Sequence, residues 1–352
     1  MAFDASLLPY IEDDEWRVLT AIEMGQRNHE LVAAELVHSI SGLRGSIHHA
    51  LGSLVQRRLA LHEGKPYDGY QLSKNGYDFL ALHALVKRGV ISHLGGILGQ
   101  GKEADVYVGY TDDETPVVIK FHRIGRVSFR KAKDTRDYLN KKHSSSWLYL
   151  SRLSAQREFQ NMTALQAFPV PTPIDWNRHC VVMSYINGTL LNSVEYLEDP
   201  AHTFEECVDL AVNLLKSGVV HADFSQFNII LQPDGKIRLI DFPQCLPYTS
   251  SEAEEKFNHD LGELRRFFLL RFDLEVESIP QFSDFVDEIT PIDLKGKYYN
   301  KKGKTSEEEE EVDEDERIQN RVSKENRYKR KIKKRQESKT KSRLIREARD
   351  FQ

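Results

Sequence analysis

Apolar side chains recur every three or four residues over Asp13 to Met24, Leu31 to His38 and Leu43 to Arg58, and this spacing predicts three helices. The period then falls to two over Leu59 to His62 and again near Tyr70 to Leu72, with Gly64-Lys65-Pro66 between them, which predicts a hairpin. A further helical pattern runs from Ser73 to about Lys87. Three helices followed by a two-stranded wing form the winged helix-turn-helix arrangement. After residue 90 the pattern changes to strands flanking a Gly-rich bend within Ile97 to Gly109, a strand at Pro116 to Phe121, a helix around Ser154 to Met162 and a strand from Cys180 towards Gly188. Beyond Lys295 no periodic apolar face remains that would build a core.

Composition agrees with this division. The 352 residues are 40% hydrophobic, enough for one sizeable core and a small accessory domain with a tail left over. The net charge of −5 hides a strong polarity: Glu307 to Glu316 holds nine acidic residues, and Arg317 to Arg349 holds fifteen Lys or Arg. An acidic run is commonly a solubilising linker, whereas the basic run resembles an RNA-binding arm or a nuclear-localisation signal. Cys180, Cys207 and Cys245 show no C-x-x-C spacing and are expected to be reduced core residues of an intracellular protein. No apolar run approaches 18 residues and the first turns are acidic, so neither a membrane span nor a signal peptide is expected.

The chemistry concentrates in His221-Ala222-Asp223-Phe224-Ser225-Gln226-Phe227-Asn228, followed by Leu239-Ile240-Asp241-Phe242. This is the spacing of a phosphoryl-transfer site of the protein-kinase type. Asp223 would orient or deprotonate the acceptor, and Asn228 and Asp241 would hold the metal that bridges nucleotide phosphates. Short motifs of this kind also occur as turns and caps, so two upstream partners are required. The first is the bend around Gly99 and Gly101, whose missing Cβ atoms let backbone N–H groups approach phosphate, with Val106 placed to cover the base. Ala104 stands where G-x-G-x-x-G has its third glycine. The second is Lys120, which closes an apolar strand as the V-A-I-K lysine of kinases does. A hairpin turn or a strand-end lysine is unremarkable alone, but all the parts fit one template in order and spacing.

Details resemble the RIO family of atypical kinases: Gly-x-Gly-Lys-Glu-x-Asp-Val-Tyr at 99 to 107, the His221-Ala222-Asp223 run with Ser225 and Asn228, and Ile240-Asp241-Phe242-Pro243-Gln244. The winged helix marks the second subfamily. The resemblance implies an α+β chain: a winged helix-turn-helix domain at 1–90, a reduced bilobal protein-kinase-like domain at 91–292 with lobes 91–183 and 187–292, and a charged tail at 293–352. It adds Lys102 of the Gly-rich turn to the nucleotide-binding residues. Glu158 is the natural partner of Lys120, and the hinge would set Met183 against adenine with backbone groups of Ser184 and Ile186 at its edge. Arg123 to Lys142 carries eight Lys or Arg against two Asp, as a mobile basic loop would, and Ser128 within it is a candidate autophosphorylation site.

Departures from ordinary kinases bear on the reaction. Ala222 and Ser225 replace the arginine before the catalytic Asp and the lysine after it, no A-P-E triplet follows Asp241, and Pro243 fixes the backbone after Phe242. Hydrolysis or autophosphorylation is therefore favoured over phosphorylation of many proteins. The resemblance implies ATP with Mg2+ (Mn2+ suits the same oxygen ligands), phosphoryl capture by Asp241, and action on precursors of the small ribosomal subunit, with rRNA and ribosomal proteins as partners. The third helix carries Arg44, His48, His49, Gln56, Arg57 and Arg58, which would suit a nucleic-acid groove or a folded RNA surface. A cytoplasmic protein that shuttles through the nucleus is expected. A protein kinase with a defined external substrate and a non-catalytic RNA-binding scaffold are the alternatives; the full set of Lys120, Asp223, Asn228 and Asp241 weighs against the scaffold.

Overall fold

The computed structural model describes residues 5–124 and 147–292. It divides into two compact units at the Gly76/Tyr77 junction, and each is described by itself. The sequence pattern places its domain boundary at residue 90, after the helix that contains this junction.

In the first unit, α1 (Asp13–Gly25) packs against α2 (Ala34–Ser41) and α3 (His48–Gln56), burying Val18, Leu19, Ile22, Val37, Leu51 and Leu54. A capping box between Glu12 and Glu15 starts α1, satisfying otherwise orphaned backbone donors. Gly42 ends α2 in the left-handed region at φ 63°, which a Cβ would disfavour. The chain does not re-enter a helix until His48, five residues later than the apolar period predicts, so Arg44 lies in a turn. The wing is the antiparallel pair β1 (Ala60–Glu63) and β2 (Gly69–Leu72), with Ala60 opposite Leu72. This is a winged helix-turn-helix domain. Arg57 is committed inside it: Nη1 donates to the Tyr10 carbonyl at 2.6 Å and to Glu15 Oε2 at 3.3 Å. That removes Arg57 from the residues expected to be free for RNA, while Arg44, His48, His49, Gln56 and Arg58 are exposed.

In the second unit, an antiparallel five-stranded sheet has the order β3 (His93–Gln100), β4 (Ala104–Tyr110), β5 (Pro116–His122), β7 (Cys180–Ser184), β6 (Pro173–Asn177). Helix α4 (Lys74–Lys87) contributes Ala81, Leu82 and Leu85 to a core shared with Ile119, Phe121, Cys180 and Val182 of that sheet. Helix α5 (Trp147–Ala164) serves the same lobe. The second lobe is built on α6 (Pro200–Lys216) and α7 (Ala253–Phe272), with small sheets formed by β8 (Thr189–Leu190), β10 (Ile229–Leu231) and β11 (Ile237–Leu239), and by β9 (Val219–Val220) with β12 (Leu246–Pro247). Asp199 caps α6, accepting the His202 N–H at 3.0 Å, and Pro200 occupies the first turn, where its missing donor costs nothing. Cys180, Cys207 and Cys245 are all buried free thiols, as expected from their count.

Gly76 offers a direct test of close packing. A Cβ built there would lie 2.0 Å from the Leu59 carbonyl oxygen, a backbone atom that cannot swing aside. Gly76→Ala should therefore lower urea-unfolding stability by about 1–3 kcal/mol; an unchanged midpoint would contradict this packing.

Candidate active site

Strand register assembles the first part of the site. Val106 on β4 pairs with Gly99 of β3 on one side and Lys120 of β5 on the other. The bend between β3 and β4 is closed by the Gly101 N–H on the Ala104 carbonyl at 2.8 Å, with Gly101, Lys102 and Glu103 exposed at its tip. No atom lies within 4 Å of a Cβ added at Gly99. Lys120 is buried, and a buried ammonium must be paired. Its Nζ donates to Glu158 Oε1 at 2.6 Å and to Asp241 Oδ1 at 2.7 Å. Burial would lower the lysine pKa, but Asp241 and Glu158 outweigh it and hold the ammonium firmly charged.

Helix α5 presents Ser151, Ser154, Glu158 and Asn161 inward at helical spacing, a buried polar stripe where an amphipathic helix would normally be apolar. Each has a partner. Ser151 Oγ accepts the Ile124 N–H at 3.1 Å, Ser154 Oγ lies 3.0 Å from His122 Nδ1, and Asn161 Nδ2 donates to the Phe242 carbonyl at 2.8 Å. Glu158 uses both oxygens, the second on His122 Nε2 at 2.6 Å. Burial pushes the Glu158 carboxyl up, but Lys120 and His122 override it and hold it well below the usual carboxylate range. Burial also lowers the His122 pKa, so its Nε2–H donates from a neutral ring.

The second lobe supplies the acids. Asp223 sits in the turn after β9 and Asp241 follows β11, while the Asn228 Nδ2 donates to the Asp223 carbonyl at 2.8 Å. Ala222 and Asp241 both have positive φ, 65° and 71°, strained values for side-chain-bearing residues that mark a backbone held by its surroundings. Those surroundings are visible: the Ile240 N–H donates to the Asn228 carbonyl, and His221 Nε2 lies 3.2 Å from the Ile240 carbonyl. Phe242 is fully buried with its ring edge-on to His221. Burial first, and Asp241 second, push the Asp223 carboxyl up to about 6. Gln244 Nε2 donates to Asp223 Oδ2 at 3.3 Å. Asp260 of α7 accepts the Phe224 N–H at 3.1 Å and fixes the loop from below.

At the hinge, Met183 is buried and pairs with Val118 in register. The Ser184 N–H donates to the Thr172 carbonyl at 2.8 Å and its Oγ accepts the Thr172 N–H at 2.9 Å, so the Ser184 N–H is committed within the fold. Ile186 makes no hydrogen bond among the described residues. Lys120, Glu158, Asp223, Asn228 and Asp241 thus converge, with Gly99, Gly101 and Val106 on the neighbouring strands. Arg123 does not belong to the mobile basic loop expected from Arg123 to Lys142, because it is buried on Asp78 and Asp105. Ser128 and the rest of that run, 125–146, and the tail from 293 lie outside the described residues. Sequence reasoning gave no role to His122, Ser154, Asn161 and Asp260, and named Gln244 only as part of the family motif; the polar stripe on α5 was the local signal for Ser154 and Asn161.

For a divalent cation the donor set fits. Asn228 Oδ1 and Asp241 Oδ2 are hard oxygens from one amide and one carboxylate, the set that Mg2+ takes when phosphate oxygens complete its shell. Among the described residues, Lys120 is the cation facing Glu158, Asp241 and Asp223, which leaves negative charge for a metal to offset.

A two-lobed fold with this lysine, glutamate, aspartate and asparagine set defines the protein-kinase-like class of phosphotransferase folds. Residues 105–279 match the RIO domain family model, and residues 8–88 match the Rio2 N-terminal model. The serine/threonine-protein kinase rio2 of Schizosaccharomyces pombe is 39% identical over 279 residues, covering 78% of this chain and 81% of that protein. The Dictyostelium discoideum rio2 kinase is 45% identical over 287 residues, covering 81% of this chain and 55% of its own length, so this chain spans about half of that relative. A crystal structure of the Chaetomium thermophilum Rio2 kinase as an ADP/Mg2+-phosphoaspartate complex superposes with a TM-score of 0.75 at 32% identity, covering 92% of this chain and all of that one. The chain belongs to the RIO family, in its winged-helix Rio2 branch.

Asp260 provides a pH test of the site's support. Burial raises its carboxyl to about 7, above its unfolded value, so the protonated form stabilises the fold fully below pH 4 and that contribution is lost as pH rises through 7. Asp260→Asn keeps an acceptor for Phe224 and does not ionise. Its melting temperature relative to the parent should become more favourable from pH 5 to pH 8, and a constant difference would refute the assignment.

Proposed function

We propose that this chain is an ATP-dependent kinase and ATPase of the serine/threonine type that works through phosphoryl transfer to Asp241 and serves maturation of the small ribosomal subunit. The observation that carries the chemical part is Lys120 bridging Glu158 and Asp241 beside Asp223, whose carboxyl is poised at about 6. The phosphoaspartate in the Chaetomium thermophilum complex supports Asp241 as its counterpart here.

On this reading the Gly99 to Gly101 turn and Lys120 bind the phosphates, Met183 and Val106 enclose the base, and the Ser184 carbonyl with the Ile186 N–H meets its edge. Lys102 at the tip adds positive charge. Asn228 and Asp241 would hold Mg2+, which would neutralise the charge that builds on the transferring phosphate. A carboxylate oxygen of Asp241 attacks the γ-phosphorus as the bond to the β-γ bridging oxygen breaks and ADP departs. Water then attacks the same phosphorus, Asp223 takes its proton, and the Asp241 carboxylate leaves with inorganic phosphate released. A serine hydroxyl in place of water gives a phosphoserine. The ribosomal assignment, with precursor rRNA and ribosomal proteins as partners, rests on the family and on the exposed basic residues around α3. A cytoplasmic site of action with passage through the nucleus accompanies it.

Single-turnover hydrolysis of γ-labelled ATP with purified small-subunit precursors tests the proposal. The parent should give free phosphate and a base-labile protein label, Asp241→Ala should lose the label, and Asp223→Ala should slow phosphate release by about 100-fold or more. Stable label moving to an added protein, with no base-labile species, would replace the ATPase by a kinase with an external substrate. Phosphate release should also rise with pH around an apparent pKa of about 6 and level off above 7, since Asp223 must be ionised to take the proton. A flat profile from pH 5 to pH 8 would exclude Asp223 as the base.

A further inference from the structure

Behind the Gly-rich turn lies a second buried charge network, separate from Lys120. The Arg123 guanidinium forks onto one carboxylate, Nη1 to Asp78 Oδ1 at 2.5 Å and Nη2 to Asp78 Oδ2 at 2.8 Å. Its Nε donates to Asp105 Oδ2 at 2.8 Å, and His179 Nε2 shares Asp78 Oδ1 at 2.7 Å. Arg123, Asp78, Asp105 and His179 are 6%, 1%, 3% and 0% exposed. Tyr77 stacks on His179 with ring centroids 4.4 Å apart and closes the network from the helix side.

The location gives the network its meaning. The Arg123 N–H donates to the Glu103 carbonyl at 2.6 Å while its side chain holds Asp105, so one residue grips the chain on both sides of Ala104. Ala104 opens β4 and its carbonyl closes the turn through Gly101. A guanidinium with both its fork and its Nε engaged cannot shift without leaving a buried charge unpaired, which is among the costliest changes a core can suffer. A phosphate-binding turn gains affinity when its conformation is fixed beforehand, because less ordering remains for binding to meet. Asp78 comes from α4, outside the stretch 105–279 that matches the RIO domain.

We propose that Arg123, anchored by Asp78 and Asp105, is a positioning clamp for the phosphate-binding turn, so that the phosphate end of the nucleotide is gripped only when α4 is docked on the sheet. The inference rests on the ATP reading above and adds to it a contribution from a helix outside the matched catalytic domain. The clamp touches no nucleotide atom. It acts through residues 101 to 105 and therefore bears on phosphate, not on adenine.

Calorimetric titration with ATP and, separately, with adenosine, in the presence of Mg2+, tests this on the full chain. Arg123→Lys keeps the charge but loses the fork, and Asp105→Asn loosens only the turn side. Both should raise the ATP Kd about tenfold or more, with adenosine affinity within about twofold of the parent. An ATP-to-adenosine ratio unchanged from the parent in both variants would overturn the clamp. Loss of both ligands together in both variants would also overturn it, showing that the network serves the fold alone. A parent that binds adenosine but not ATP would instead overturn the ATP reading on which the inference stands.

Discussion

The Lys120 ammonium is the interaction on which the site depends. It is buried between a carboxylate from α5 and another from the end of β11, and so joins the two lobes through one cation. A lone buried ammonium would shed its proton. With two carboxylates within 2.7 Å it stays charged, and removing the lysine would leave two buried carboxylates facing each other without a cation. This constraint explains the polar face of α5. Glu158 must point inward, its second oxygen must then be satisfied, and His122 satisfies it, with Ser154 behind the ring. One buried cation thus dictates three further side chains. The result is a helix held in its working position by buried hydrogen bonds. That suits a chain in which Ala222 replaces the arginine that in ordinary kinases receives a phosphorylated loop.

The lower lobe solves a related problem with fewer elements. After Asp241 the described chain has only one long helix, α7, and a closing 3-10 turn at Phe282–Glu288. That helix does two jobs. Its apolar face fills the lobe with Phe257, Leu261, Leu264 and Phe268, and Asp260 reaches up to the Phe224 N–H. Burial raises the carboxyls of both Asp260 and Asp223, yet they diverge in use. Asp260 spends its acceptor on a backbone amide and Asp223 keeps one side towards the cleft. Two carboxylates of the same type acquire different work from their surroundings alone.

Much of this was legible in the residues. The winged helix followed from a change of period from helical to alternating, and Lys120, Asp223, Asn228 and Asp241 followed from spacing along a single template. Glu158 was reachable because a helical pattern set it on one face. Arg123 was not. In sequence it heads eight basic residues within twenty, and composition assigns such a run to solvent. Its partners Asp78 and Asp105 lie 45 and 18 positions away, so no local window contains the ion pairs. The late start of α3 escaped for a different reason: Leu43 and Ile47 continue the apolar period, while Gly45 and Ser46 interrupt the backbone. Period reports which face is buried; backbone preference decides where a helix can begin.

The two buried networks carry complementary parts of one task. Lys120, Glu158 and Asp241 tie the sheet to the catalytic loop across the cleft, whereas Arg123, Asp78 and Asp105 tie the same sheet to α4 on its other side. They meet at β5, where Lys120 and Arg123 are separated by Phe121, fully buried in the core, and by His122, which faces Glu158. Alternation along this strand sends Lys120 and His122 to the cleft side and Phe121 to the α4 side. Arg123, one residue past the strand, keeps this alternation and lies with Phe121 on the α4 side, its guanidinium 5.4 Å from the centroid of that ring. A one-residue slip of β5 would exchange these assignments and break both networks at once, so the register of a single short strand sets the electrostatics of the lobe.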